Sequence, residues 1–397
     1  MTTGPTTEAE PVAPPEVEAA REPAPVATGV ALTVAAWAVT RLVVGSLSHW
    51  ARDPFRVDPT IWDRWDSGNY LFIAQHGRDL GRCGSRGFPT LFPQLKGTWC
   101  GHAGWLPGYP WLIEAVHWTG IARPSAGLLV SWVALAVALA LVWFGWLREL
   151  GAARALAVLL LVGLFPGAVY NLAVFPTSVA LALVVGALVA ATRGRFLTGA
   201  LLMVGAGLCY PSAWFAAAGM AVALVVVAIP SGPGATARRA LWGAAGLGSL
   251  LLLGLHDQLV LGHADAYLLV QRGTGLHPTP FPGQIFLPRA GRDALVFQCV
   301  LAIALVATTT VVAALTWRRR SSGAAELYPA LAAAGVVLGL LVLADSHAGA
   351  WNRSVVLAAP CMVVLRRAPQ WVLWPVVAVV AVTTALVSRF FFSIQLI

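Results

Sequence analysis

Apolar runs recur along the whole of this chain, at about 27–48, 124–147, 155–171, 175–192, 196–210, 213–230, 240–256, 294–316, 326–344, 354–365 and 371–388. A helix needs about 20 such residues to cross the hydrocarbon core of a bilayer. Only helices and closed barrels satisfy their backbone polar groups inside lipid, and runs of this length belong to helices. The expected fold is therefore an all-α polytopic membrane protein of about 11 spans, with 10–12 allowed. The range reflects the runs at 155–171, 196–210 and 354–365, which are short enough to be tilted, broken or half-membrane segments.

Composition agrees. The chain is 58% hydrophobic and 11% charged, with a mean hydropathy of +0.75, where a soluble domain carries roughly a quarter charged residues. The net charge of +9 does not point to nucleic acid, because the arginines are scattered at the ends of spans. Residues 1–26 are rich in Pro, Ala and Glu and are expected to be a disordered cytoplasmic tail. They lack the basic start of a signal peptide, so the first span is expected to be retained. Residues 27–397 form the membrane domain.

Charge sets an expected topology. Arg148 and Arg154, Arg193 and Arg195, Arg238 and Arg239, Arg318 to Arg320, and Arg366 and Arg367 fall in alternate, short connections. Short basic connections stay in the cytoplasm. The other side then receives the long segments 49–123 and 257–293 and the short one 345–353. All eight histidines fall on or near that side, with most of the aspartates. Acid–base chemistry is expected at the extracytoplasmic face of the cell membrane. Nucleotide chemistry on the inner face is excluded, and no phosphate-cradling GxxxxGK loop occurs.

Within the first long segment, IWDRWDSGNYLFIAQHG (61–77) holds Asp63 and Asp66 just beyond the first span. Ionisable residues at a membrane face are functional candidates. The bland reading is an Asp66 that caps a short interfacial helix, with Trp62 and Trp65 as headgroup anchors. GWLPGYPWLIEAVHW (104–118) reads as a turn entering an interfacial helix, with Glu114 and His117 on one face and Trp111 and Trp118 as belt residues. In the second segment, Asp265 to Gln271 reads as a short amphipathic helix, and Arg272, Arg289 and Arg292 face either a phosphate or lipid headgroups. Residues 345–354 read as a short turn, with Arg353 as phosphate ligand or as a span-end arginine reaching the interface. Arg41 is a charge inside the first span that can pair with a carboxylate from the outer segments. Cys83 and Cys100 flank a polar insertion and are expected to pair in an oxidising compartment, whereas Cys209, Cys299 and Cys361 sit in apolar runs and pack. The histidines occur singly, without HExxH spacing; the short D-x-x-D of Asp63 and Asp66 is a weak candidate to hold a cation with a substrate phosphate, and no Ser–His–Asp signature is present.

RWDSGNYLFIAQHG (64–77), LPGYP (106–110), LFPGAVYNLAVFPTSVALAL (164–183), VQRGTG (270–275) and NRSVVLAAPCMVVL (352–365) carry a resemblance. The chain resembles the PIG-V-like family of polyprenyl-phosphate-mannose-dependent mannosyltransferases, which have the GT-C fold. The first block is the specific one. Thr177 stands where that family usually has a glutamate, Tyr210-Pro211 where it has Arg-Pro, and His263 where an aspartate is common, with Asp265 two residues on.

The resemblance implies an inverting transfer of mannose from a polyprenyl-phosphate donor to a lipid, glycolipid or protein acceptor, with no metal and no cofactor. Asp66, or Asp63, is then the base. Arg353, Arg272 and Arg64 are the expected donor-phosphate ligands, and Tyr70, Tyr109, His263, Asp265 and Gln271 the expected substrate pocket. The competing readings are a GT-C enzyme with another sugar donor, a transporter or flippase of a lipid-linked sugar, and a non-catalytic assembly subunit. No internal repeat favours the transporter.

Overall fold

The structure is a computed structural model and describes residues 23–47, 58–90, 93–273, 293–319, 324–342 and 348–392. Most of the tail expected in residues 1–26 lies outside them, as do Arg289, Arg292 and residues 345–347. The chain is a nearly all-helical, multi-pass membrane protein. Among the described residues, seven helices are long and apolar enough to cross a membrane, and three shorter apolar helices accompany them.

The first span is α1 (Val26–Gly45). After it come α2 (Pro59–Trp62) and α3 (Ser67–His76). A ribbon of β1 (Gly81–Arg82) paired with β2 (Trp99–Cys100) and the helix α4 (Gly108–His117) complete this segment. Asp58 starts α2 by accepting the Thr60 N–H at 3.1 Å, with Pro59 preset for the first turn. Gly77 stops α3 in a left-handed conformation, φ 79°.

The bundle continues through α5 (Arg123–Val142), drawn out by a π-helical turn at Trp143–Leu147. Next are α6 (Ala152–Gly163), α7 (Thr177–Thr192), α8 (Phe196–Cys209) and α9 (Ser212–Ala228). One span is shared by α10 (Pro233–Ala245) and α11 (Ser249–Leu261), and the short α12 (Ala266–Gly273) follows. The last helices are α13 (Asp293–Arg319), α14 (Ala324–Val342), α15 (Ala348–Val355) and α16 (Gln370–Phe392). Between α15 and α16 the chain winds as a 3₁₀ helix, Val356–Arg367.

Two of the three runs too short to span turn out to be central. Residues 164–181 are buried without a break, as are 356–364. A segment apolar on every side belongs inside the bundle. There the irregular backbone between α6 and α7 meets protein donors instead of lipid. Thr384 Oγ1 donates to Leu164 O and Thr177 Oγ1 to Tyr170 O, both at 2.8 Å. Trp132 Nε1 donates to Leu172 O at 2.8 Å and Ser131 Oγ to Phe175 O at 3.1 Å. Gly167 allows the break with φ 90°, and a Cβ there would lie 2.3 Å from the Asn352 carbonyl oxygen.

Two expectations need correction. The second long segment does not begin at 257: Asp257 is fully buried inside α11, where it pairs with Arg78. A carboxylate paired at the start of an apparent loop lets the helix run one turn further. The segment read as a turn at 345–354 is helix α15 from Ala348 onward. Its Trp351 and Asn352 are wholly buried, so packing orders it.

Close helix packing rests on small residues, as is usual where lipid supplies no hydrophobic drive between helices. A Cβ on Gly219 in α9 would lie 2.1 Å from Leu331 O of α14, and one on Gly335 would lie 2.4 Å from Phe215 O. Backbone cannot yield as a side chain does. Gly219→Leu is therefore expected to cost upwards of about 1–3 kcal/mol. Thermal unfolding in detergent checks this, with the exposed Gly234→Ala as a neutral control.

Cys83 and Cys100 form a disulfide with Cα atoms 5.1 Å apart, which closes the loop between β1 and β2. Cys209, Cys299 and Cys361 are free and buried. Closing a loop of 17 residues stabilises by about 3 kcal/mol in the chain-entropy model. Maleimide labelling of the denatured protein without reductant should reach three cysteines, and five after reduction.

Candidate functional site

Three of the arginine-rich connections meet at one end of the bundle. Arg148 O accepts from Ala24 N at 2.9 Å, Arg366 Nη1 donates to Trp146 O at 2.9 Å, and Arg193 donates to Phe144 O at 3.3 Å. Arg366 and Arg367 both pair with the buried Glu326 there, at 2.9 and 3.3 Å. The opposite end receives α2 to α4, the α8–α9 junction, α12 and α15. The start of α3, residues 104–106, the α8–α9 junction, α12, Leu340 of α14 and α15 line a cavity of about 310 Å³.

Asp66 and Arg353 form an ion pair on the cavity wall. Asp66 is the carboxylate that lines this cavity among the described residues. Its side chain is 24% exposed and that of Arg353 is 31% exposed, so both remain reachable. Asp66 occupies the N-cap position of α3, but its side chain makes no capping bond. Ser67 Oγ instead accepts from Arg64 N at 3.2 Å and donates to Arg64 O at 2.7 Å. That small loop leaves the Asp66 carboxylate to Arg353.

The residue before Asp66 is strained. Trp65 has φ 59°, the one non-glycine residue in the left-handed region among those described. Such a conformation costs roughly 1–2 kcal/mol and marks functional sites when the surroundings enforce it. Here Trp65 Nε1 donates to Phe391 O of α16 at 3.4 Å, and the kink turns the chain from α2 into α3.

Tyrosines surround the pair. Tyr70, Tyr210 and Tyr267 line the cavity, and these are three of only six in the chain. Burial, with the nearby Asp66 charge, pushes the Tyr70 hydroxyl well above its ordinary pKa, so it stays a neutral donor. Burial raises Tyr267 likewise. Tyr210 and Ser354 share a hydrogen bond of 3.1 Å. Burial works against the Arg353 charge, but Asp66 more than offsets it and holds the guanidinium firmly protonated. Trp105, Trp214, Phe215 and Leu340 supply apolar wall.

Gln271 and Arg272 also reach the cavity. Gln271 Nε2 donates to Gly104 O at 2.7 Å. The strand of chain at 103–104 is itself tied down: Arg78 pairs with buried Asp257 and donates to Ala103 O.

The remaining expected site residues lie elsewhere. Asp63 ends α2 and is half-buried, and burial raises its carboxyl pKa against the opposing pull of Arg64. It does not line the cavity. Arg64 does not reach the cavity either; its Nε donates to Ile61 O at 3.4 Å. Tyr109 is fully buried and donates to Gly127 O at 2.9 Å, while its ring supports Tyr70 at 5.6 Å. His263 meets the edge of Trp99 at 4.8 Å. Asp265 is exposed at the start of α12. Thr177 is buried on Tyr170 O.

Trp62 is not a headgroup anchor. It is 3% exposed and, with Trp132, packs on the Arg41 guanidinium, at 4.6 and 3.8 Å from the ring centroids. Trp111 and Trp118 are 50% and 80% exposed, as belt residues are. Glu114 pairs with Arg123 at 2.8 Å, and His117 Nδ1 lies 2.7 Å from Ile121 O. Among the described residues, no three His, Cys, Asp or Glu side chains converge.

Tyr210, Tyr267, Trp105 and Ser354 were not legible as site residues. The scarcity of tyrosine is the signal that was there to use.

Fold and site together define a multi-pass membrane protein with an acid–guanidinium cavity at one end of its bundle. No protein-family model matches the chain, and no curated protein matches it. Among solved structures it is similar to the oligosaccharyltransferase of Archaeoglobus fulgidus in its apo form. The identity is 12% and the TM-score 0.44, over 92% of this chain and 56% of that one. The complex of that enzyme with zinc and sulfate gives 11% and 0.41, over 91% and 53%. The chain thus spans about half the length of that protein. A likeness at this level assigns neither activity nor substrate.

Proposed function

We propose that this chain is a GT-C-type inverting glycosyltransferase that moves a sugar, mannose in the first instance, from a polyprenyl phosphate to an acceptor hydroxyl at the extracytoplasmic face. The carrying observation is the Asp66–Arg353 pair, which sets a carboxylate and a guanidinium on one cavity wall at the end of a membrane bundle. The reaction needs both: a base for the acceptor proton and a cation for the departing phosphate. The likeness of residues 64–77 to the PIG-V-like block supports the choice of donor.

The acceptor hydroxyl gives its proton to the Asp66 carboxylate. Its oxygen forms a bond to the anomeric carbon from the face opposite the phosphate. The bond from that carbon to the phosphate oxygen breaks, and its electron pair stays on the lipid phosphate. Arg353 meets that charge as it develops, with Arg272 at the rim. Tyr70 and Tyr210 are neutral donors for sugar or phosphate oxygens. The acceptor is a lipid, a glycolipid or a protein.

The test is direct. Purified full-length protein is incubated with labelled polyprenyl-phosphate-mannose and a panel of lipid, glycolipid and peptide acceptors. Transfer to one of them, with inverted configuration, is the expected result. No transfer from any polyprenyl-phosphate sugar would end this reading.

A further inference from the structure

We infer that Asp66 competes with the lipid phosphate for Arg353, so that the proton Asp66 gains during transfer governs how tightly the phosphate is held. This rests on the polyprenyl-phosphate reading of the same cavity. Arg353 Nη1 donates to Asp66 Oδ2. The two side chains line one cavity, together with Tyr210 and Ser354, which hydrogen-bond to each other. A phosphate that reaches Arg353 must therefore stand beside the Asp66 carboxylate. Two anions then share one guanidinium fork.

The consequences follow the proton. While Asp66 is ionised it repels the phosphate and holds part of Arg353. When the phosphate arrives it draws Arg353 away, and the carboxylate oxygen that was occupied becomes able to accept a proton. The acceptor proton passes to Asp66 as the new glycosidic bond forms and the old carbon–oxygen bond breaks. Neutral Asp66 no longer competes, so Arg353 turns wholly to the lipid phosphate at the moment its charge is greatest. Loss of the proton to water restores the carboxylate, which reclaims Arg353 and displaces the product. One side chain is thus both base and release device. Arg272 cannot substitute for Arg353 in this exchange, since it is exposed at the end of α12 and has no carboxylate beside it in the cavity.

The experiment uses full-length protein in detergent, titrated with a long-chain polyprenyl monophosphate and, separately, with the uncharged polyprenol. Binding is read by tryptophan fluorescence, since Trp105 and Trp214 line the cavity. Asp66→Asn, which mimics the protonated acid, is expected to bind the phosphate about tenfold more tightly than wild type and the alcohol equally well. Asp66→Ala should show the same gain, which guards against a folding artefact in one variant. Adding Asp66→Asn to Arg353→Gln should bring a clearly smaller gain than in the wild-type background, because the contested cation is gone and only the direct repulsion is relieved; an equal gain in both backgrounds overturns the competition. Equal or weaker phosphate binding by both Asp66 variants, in folded protein, overturns the competition. So does a gain that appears equally with the alcohol. A gain confined to the phosphate supports the competition even if no acceptor is found, so the two claims fail separately.

Discussion

On the proposed reading, Asp66→Asn is expected to abolish sugar transfer while the protein still folds and inserts. A well-placed general base contributes about a hundredfold to ten-thousandfold, and the amide cannot accept the proton. The fold is expected to survive because Asp66 makes no capping bond to α3. Asp63→Asn is the companion. Asp63 lies off the cavity, so that variant is expected to keep most of its turnover. The measurement is the initial rate with labelled donor at saturation, beside a thermal melt of each variant. Normal turnover in Asp66→Asn defeats the base assignment, and a dead Asp63→Asn in folded protein moves the base one turn back along the chain.

Arg353→Gln has the second largest expected effect. Loss of one preorganised donor to a developing oxyanion costs roughly a hundredfold to a thousandfold in kcat. The leaving phosphate loses its main cation, and Asp66 loses its partner. Arg353→Lys keeps the charge but not the planar fork, so it should recover only part of the rate. The split between kcat and KM for the donor carries the information. A variant whose kcat holds while KM alone rises would show that Arg353 only captures the donor and does not act on the leaving group. Arg272→Gln is expected to do that milder thing, since Arg272 sits exposed at the rim.

Much of the architecture was readable in one dimension. The long runs at 27–48, 124–147, 294–316 and 371–388 correspond to α1, α5, α13 and α16, because lipid demands apolar length and length is visible in a sequence. The runs that looked defective, 155–171 and 354–365, are the centre of the bundle. Composition does not separate a helix facing lipid from a segment enclosed by other helices, as both are apolar. The break at Pro166 and Gly167 made sense only once Thr384, Trp132 and Ser131 were seen to satisfy the backbone there.

The site divides the same way. Asp66 and Arg353 were singled out as charges at a membrane face, where each is costly. Nothing in the chain order joined them across 287 residues. Nor did it separate Asp63 from Asp66, three positions apart. Asp63 ends α2 away from the cavity, whereas Asp66, just after the left-handed Trp65, lines it.

The sequence by itself determined that this chain lives in a membrane as a helical bundle, because hydration energy is written residue by residue. The tertiary structure alone decided which carboxylate faces which guanidinium, and that three tyrosines stand around them. Such pairings depend on helix ends brought together by packing, and packing is a property of the whole bundle rather than of any stretch of it.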